Sequence, residues 1–196
     1  MNAPLPSSLM TALRRRYAES QRHYHTWRHI EMLLELFEEV RHRLDDPAAV
    51  SAALYYHDAV YDPQRSDNEA RSAALLMHEG AGVLPPDSLD FAGRLVEATA
   101  RHLVPSDLSR SQRADAALFL DMDLSILAAP WPAFAAYEAA IRREYAFVAE
   151  AAYRAGRREV LEGFLSREKL YFSACFGPRF EKPARDNLAR SLESLA

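Results

Sequence analysis

The chain has 196 residues, 49% of them hydrophobic and 27% charged, which suits one folded domain with its own core and excludes extensive disorder. Its 24 basic and 28 acidic residues give a net charge of −4 and exclude the basic footprint of a nucleic-acid-binding protein. Cys175 is the only cysteine, so an intramolecular disulfide is excluded and a reducing compartment is favoured.

Export and membrane signals are weak. The first residues lack the charged start and the long apolar run of a signal peptide. The longest uncharged apolar stretch is 14 residues, from Leu124 to Tyr137, and it contains two prolines. Such a stretch is too short and too broken to cross a bilayer. We therefore expect a cytoplasmic protein without a membrane segment.

Helical signals dominate along the chain, and the alternating patterns of strands are almost absent. Thr26 is a good N-cap, and Asp46 followed by proline opens the next helix. Asp62 and another proline should stop that helix, and Ser66 with Glu69 has the form of a capping box. We predict one all-α domain with helices at about 7–20, 27–44, 47–61, 66–80, 87–102, 109–128, 131–155, 156–175 (broken) and 183–195.

Polar side chains on apolar helix faces are the informative feature. His29, His102 and Asp123 each share a helical stripe with aliphatic residues, and His57 and Asp58 lie in the most hydrophobic part of the predicted third helix. Taken singly, each has a structural explanation as a core histidine or a capping carboxylate. Because four helices each supply such a residue, a convergent site is the better interpretation.

The donor types indicate the ion. Three imidazoles with one or two carboxylates suit Mn, Fe, Co, Ni or Zn better than Ca, and Mg completes the candidate divalent ions. Adjacent helical residues point about 100° apart, so His57 and Asp58 could occupy neighbouring positions around one ion.

The ordered set His29, His57-Asp58, His102, Asp123 resembles the H…HD…D signature of the HD superfamily of metal-dependent phosphohydrolases. The resemblance extends from about Tyr24 to Leu192. Within the superfamily, the chain is similar to a subgroup of predicted HD-type phosphohydrolases. The residues that carry it are Tyr24-His25-xxx-His29-Ile30, His57-Asp58-x-x-Tyr61-Asp62, Asp67-Asn68-Glu69, Ala98-Thr99-x-x-His102, Phe119-Leu120-Asp121-x-Asp123-Leu124, Ile141-Arg142-x-Glu144-Tyr145 and Glu181-x-x-Ala184-Arg185-x-Asn187.

The resemblance implies a single HD-type helical bundle over residues 1–196. Its metal-site core would span about 20–130, with C-terminal helices at about 131–196 packed on it. It also implies His29, His57, Asp58 and Asp123 as metal ligands, with His102 beside the metal or a substrate phosphate.

Two alternatives stay open within this ligand set. His25 competes with His29, because the two are four residues apart, although Thr26 as N-cap would leave His25 outside the helix. Asp121 competes with Asp123, although the apolar spacing favours Asp123.

The implied activity is hydrolysis of a phosphate ester, in a nucleotide or another small phosphorylated metabolite, by a metal-activated water. The candidate catalytic residues are Asp58, Glu69, Asp67 and His102, and the candidate substrate-binding residues are Arg28, Arg101, Tyr24, His25 and Tyr61. Two other functions are alternatives: a helical metal-binding regulatory or interaction module without turnover, and a metal-dependent oxygenase of the HD fold. The oligomeric state cannot be read from the sequence.

Overall fold

The structure is a computed structural model that describes residues 5–195. Within this range every regular segment is helical and the only bridge is isolated, so the predicted all-α class is confirmed. The α-helices are α1 Ser7–Arg16, α2 Trp27–Val40, α3 Pro47–Tyr56, α4 Asn68–Glu79, α5 Pro86–Ala98, α6 Arg110–Asp123, α7 Trp131–Glu144, α8 Glu150–Leu165 and α9 Gly177–Ser194. Short 3₁₀ turns follow α2 at Arg41–Arg43 and α6 at Leu124–Ala128.

The chain divides into two compact units, one reaching Leu120 and the other starting at Asp121. In the first unit α3 is the central helix, and it packs against α2, α4 and α5. Its sequence is almost wholly apolar, and side chains such as Val50, Ala53 and Tyr56 are fully buried. A helix that is hydrophobic on every face must be enclosed by its neighbours, which explains the central position of α3.

Two carboxylates secure the start of α3. Asp46 is the predicted N-cap, and its side chain accepts a hydrogen bond from the Ala49 amide at 2.9 Å. The carboxylate of Asp115 on α6 accepts the amides of Asp45 and Asp46 at 3.0 and 2.8 Å. Burial raises the pKa of Asp115, and these two amide contacts oppose the rise. The start of α3 is therefore fixed by α6.

The end of α3 differs from the prediction. The helix ends at Tyr56 rather than at about Tyr61, so His57 and Asp58 lie in the turn that follows it. The chain leaves the helix because tertiary contacts bind its backbone instead: the Arg22 side chain donates to the carbonyl oxygens of Asp58 and Ala59. These contacts cannot be inferred from helical periodicity.

The predicted start of the fourth helix is wrong by two residues. Asp67, not Ser66, holds the N-cap position of α4, so no capping box forms between Ser66 and Glu69. The turn before α4 is instead closed by Asn68, whose side-chain amide donates to the Asp62 carbonyl at 2.9 Å and whose oxygen accepts the Asp62 amide at 3.1 Å. The side-chain amide of Asn68 therefore pairs with the amide and the carbonyl of Asp62, and this pair takes the place of the predicted capping box.

The fifth helix, α5, also has shifted bounds. It begins at Pro86, where a proline in the first turn costs no hydrogen bond, rather than at Asp87 or Ser88. It ends at Ala98, before a turn that reaches His102, so the predicted end near His102 is four residues too late.

In the second unit the predicted helix bounds are wrong in two places. The chain breaks between α7 and α8, where the Arg142 side chain donates to the carbonyls of Tyr145 and Val148 at 2.7 and 3.1 Å. α9 begins at Gly177, six residues before the predicted start, and continues through Pro183. Beside that proline, Glu181 accepts the amides of Leu170 and Tyr171. A local arginine contact therefore accompanies the break between α7 and α8, and a contact from outside the helix accompanies the path of α9.

A search of residues 5–195 for membrane spans finds no single helix with the length and hydropathy to cross a bilayer. One bent helix pair, Arg110–Ala128 with Trp131–Glu144, meets those criteria only when its two members are taken together.

Asn187 provides a test of the packing in the second unit. Its buried side-chain amide donates to the carbonyl oxygens of Leu127 and Ala129, both at 2.8 Å. Asn187→Asp removes both donors and directs a carboxylate at two carbonyls, so we expect the free energy of unfolding to fall by about 3 kcal/mol. Urea denaturation measures the change.

Asp186→Asn is the matched control for that variant, because Asp186 is exposed and pairs with the exposed Lys182. Its free energy of unfolding should change by less than about 0.5 kcal/mol. Equal stability of the two variants would contradict the role of the Asn187 amide.

Candidate metal centre

Two buried imidazoles face each other in the first unit. His29 lies in the first turn of α2, His57 directly follows the last residue of α3, and only 3% and 2% of their surfaces are exposed. Their Nε2 atoms are 3.1 Å apart. Two ring nitrogens at this distance need a proton or a cation between their lone pairs.

The orientation of the His57 ring is fixed by a backbone contact at Nδ1. Its Nδ1 atom is 2.9 Å from the carbonyl oxygen of Leu54, which only accepts hydrogen bonds. Nδ1 therefore carries a proton and donates it, and Nε2 is the ring nitrogen that faces His29. A ring nitrogen held in this way by a backbone carbonyl is typical of histidines that bind metals.

Asp58 supplies a carboxylate to the same point. Its Oδ2 atom lies 3.0 Å from Nε2 of His57 and 3.9 Å from Nε2 of His29. An ion with bonds of about 2.1 Å holds ligands at right angles about 3.0 Å apart. The His29–His57 and His57–Asp58 separations fit such an ion, and the longer third separation fits a wider ligand angle.

Asp123 completes the group of candidate ligands. It is the last residue of α6, an unbroken helix whose preceding turn carries Phe119, and the Phe119 ring lies 6.3 Å from the ring of His57. His29, His57 and Asp123 are a group of donors that could hold a metal ion. Two imidazoles with a carboxylate are a donor set that could hold a divalent ion, whose identity this geometry leaves open.

The predicted placement of His57 and Asp58 within a helix is wrong. His57 and Asp58 are not in mid-helix, although His57 keeps helical dihedral angles at φ −55° and ψ −36°. The two side chains converge because the chain turns directly after α3, and the carboxylate of Asp58 comes back onto the His57 ring.

His25 stands outside this group. Thr26 is the N-cap of α2, as predicted, so His25 precedes the helix. Its ring stacks on Tyr61 with centroids 4.2 Å apart, and its centroid is 6.4 Å from that of His29. The Tyr24 ring is closer to His29, at 4.9 Å. Tyr24, His25 and Tyr61 thus form an aromatic group beside His29, and their contact with a substrate stays a prediction.

Asp121 has a structural role in the second unit. Its buried carboxylate accepts the amides of Phe172 and Ser173 at 2.7 and 2.8 Å. Burial raises its pKa, while these hydrogen bonds act in the opposite direction. Both oxygens are already used by backbone amides, which leaves Asp123 as the better candidate ligand.

Asp67 and Glu69, the two candidate catalytic carboxylates near α4, differ in their surroundings. Asp67 forms a two-point contact with Arg65 at 2.7 and 2.6 Å, and this contact lowers the pKa of the exposed carboxyl group. A lowered pKa makes a carboxylate a weaker base. Glu69 is half-buried in the first turn of α4. The catalytic role of both carboxylates stays a prediction.

The predicted cationic contacts lie on the surface. Arg28, on α2, and Arg101, after α5, are both exposed, and their contact with a substrate phosphate stays a prediction.

His102 has a strained backbone. Its φ of 47° makes it the one non-glycine residue with positive φ in the described part of the chain. Its amide donates to the Ala98 carbonyl at 2.8 Å, so it stands just after α5 where glycine is the usual residue. A side chain in this region costs about 1 kcal/mol. The role of the imidazole beside a metal or a phosphate stays a prediction.

One residue that positions the candidate site is absent from the sequence-based prediction. Arg22 is 4% exposed and contacts the backbone beside Asp58. An arginine in a polar, non-helical stretch is normally a surface charge, so the sequence carries no signal for its burial.

Comparisons of the chain with protein-family models, with curated proteins and with solved structures find no match.

The ligand assignment predicts that Asp58→Ala weakens metal binding by about tenfold or more, because the variant keeps the two imidazoles but loses the carboxylate. Elemental analysis and isothermal titration with Mn²⁺ measure the change. Asp107→Ala, at a largely exposed ion pair with Arg94, is the control. Wild-type metal content in Asp58→Ala would contradict the assignment.

The strain at His102 predicts opposite effects on stability and on function. His102→Gly relieves the backbone, so we expect a gain of about 0.5–1 kcal/mol in the free energy of unfolding. If the imidazole acts in turnover, the rate should fall by about a hundredfold.

His78→Gly is the control for that variant, because His78 is exposed in the last turn of α4. There glycine should lower stability by about 0.5–1 kcal/mol and leave turnover unchanged. A loss of stability in His102→Gly would exclude strain as its explanation.

Proposed function

We propose that this protein is a metal-dependent phosphohydrolase of the HD type that cleaves a phosphate ester in a small metabolite. The observation that carries the proposal is the convergence of the Nε2 atoms of His29 and His57 with Oδ2 of Asp58, at separations of 3.1 and 3.0 Å. The ordered ligand string in the sequence supports the same activity.

The charges of the donor set suit a divalent cation. His29 and His57 would act as neutral imidazoles, and Asp58 with Asp123 would contribute two negative charges. A divalent ion held by this set supplies Lewis acidity, which acidifies water and stabilises the charge that develops on a phosphoryl oxygen.

The exposure of the ligands provides access for a substrate. The side chains of His29 and His57 are each 2% exposed, whereas that of Asp58 is 19% exposed. Asp58 therefore lies on the side of the group that water and substrate can reach. A catalytic metal site keeps such an open side, whereas a structural site is closed by protein ligands.

The remaining roles follow from position and chemistry. Asp58 would combine the roles of ligand and proton acceptor. Glu69 would orient water or accept a proton. His102 would donate to the substrate phosphate or to the leaving group.

The proposal predicts turnover that depends on a metal. Protein purified without chelator should contain about one divalent ion per chain, and it should hydrolyse at least one member of a panel of phosphomonoesters, phosphodiesters and nucleotides. A chelator should abolish turnover, and one of Mn²⁺, Co²⁺, Ni²⁺, Zn²⁺ or Mg²⁺ should restore it.

His29→Ala should reduce turnover by about a hundredfold or more, since even losing a residue that only orients a ligand costs about 10–100-fold. His42→Ala, at an exposed histidine, is the matched control and should keep full activity. Metal content without turnover on any member of the panel would favour a binding module. Oxygen uptake would favour an oxygenase, and absence of metal would exclude all three functions.

A further inference from the structure

We propose that Arg22 is the positioning residue of the candidate metal centre: its guanidinium holds the backbone of Asp58 and Ala59 against the segment that leads into α2. This inference rests on the proposed metal site and adds a residue that neither binds the ion nor touches the substrate.

The contacts of Arg22 join the two ligand-bearing segments. Nη1 donates to the carbonyl of Asp58 at 2.7 Å and to that of His25 at 3.1 Å, and Nη2 donates to the carbonyl of Ala59 at 3.2 Å. His25 lies four residues before His29. One planar group therefore ties the turn that carries Asp58 to the turn from which His29 emerges.

The carbonyl oxygens of Asp58 and Ala59 lie beyond the end of α3. Once α3 has ended, the carbonyls of Asp58 and Ala59 need donors from elsewhere. Fixing the Asp58 carbonyl restricts the rotation of that peptide group, and with it the direction in which the Asp58 carboxylate leaves the backbone. The separation of 3.0 Å between Asp58 and His57 depends on that direction.

The guanidinium is itself held in place. Its side chain is fully buried, and it lies over the rings of Tyr17 and Tyr61 at 5.0 and 5.4 Å. Nε donates to Glu19 at 3.1 Å. A charge buried this deeply is tolerated because its donors are directed at acceptors and its faces at aromatic rings.

Lysine cannot reproduce this arrangement. Its ammonium is a compact point charge, whereas the three carbonyls and the Glu19 carboxylate are matched by the fork of a planar group. Arg22→Lys therefore keeps the charge but loses the geometry, which makes it a sharper test than truncation.

The test is Co²⁺ affinity and the visible absorption of bound Co²⁺, compared with stability in urea. Arg22→Lys should raise the Co²⁺ dissociation constant about tenfold or more and alter the absorption band. The matched control is Asp115→Asn, which loses one of its two acceptors at the start of α3, about 15 Å along the helix from His57. It should lower stability but keep the Co²⁺ dissociation constant within about twofold of wild type.

The outcomes separate this role from the metal site itself. If wild-type protein binds no Co²⁺, both proposals are overturned. If wild-type protein binds Co²⁺ and folded Arg22→Lys binds it equally well, or if Asp115→Asn loses as much affinity, only the role of Arg22 is overturned.

If the Arg22→Lys variant does not fold, Glu19→Ala is the variant that tests the proposal. The side chain of Glu19 is 40% exposed, and its loss frees Nε while the chain stays folded. Co²⁺ affinity should then fall by about threefold, the size of an exposed ion pair. Unchanged affinity in that variant would overturn the proposal.

Discussion

The short separation between Nε2 of His29 and Nε2 of His57 is the constraint on which the rest of the candidate site depends. Two nitrogen lone pairs cannot be buried 3.1 Å apart unless a proton or a cation lies between them. The hydrogen bond from Nδ1 of His57 to Leu54 fixes which nitrogen faces His29. The Asp58 carboxylate then adds negative charge at the same point, so a cation satisfies all three groups together.

Several contacts in the first unit hold this arrangement in place. The α3 helix is enclosed by its neighbours, which fixes its last turn and His57, and Asp115 secures its first residues at the opposite end. Arg22 secures the segment that follows. The two ends of α3 are thus anchored by different charged groups, one from α6 and one from the turn before α2.

The sequence predicts the all-α class, the N-caps Thr26 and Asp46, and the set of residues that contains the ligand group. These features are local, or they depend on apolar periodicity that a single sequence displays. The end of α3 and the path of α9 through Pro183 could not be predicted, because partners outside each helix decide them. The start of α4 is set by a local side-chain contact of Asn68 with Asp62, which helical periodicity does not display. Arg22 shows the limit most clearly, since its burial depends on carbonyls 36 and 37 residues away.

The places of His29 and His57 within their helices have an electrostatic consequence. His29 is in the first turn of α2, where aligned peptide dipoles leave partial positive charge, and His57 follows the last residue of α3, where they leave partial negative charge. The candidate centre therefore lies between helix termini of opposite polarity. The negative end of α3 favours a cation and the positive end of α2 favours an anion, so the backbone places partial charges of both signs around the candidate centre.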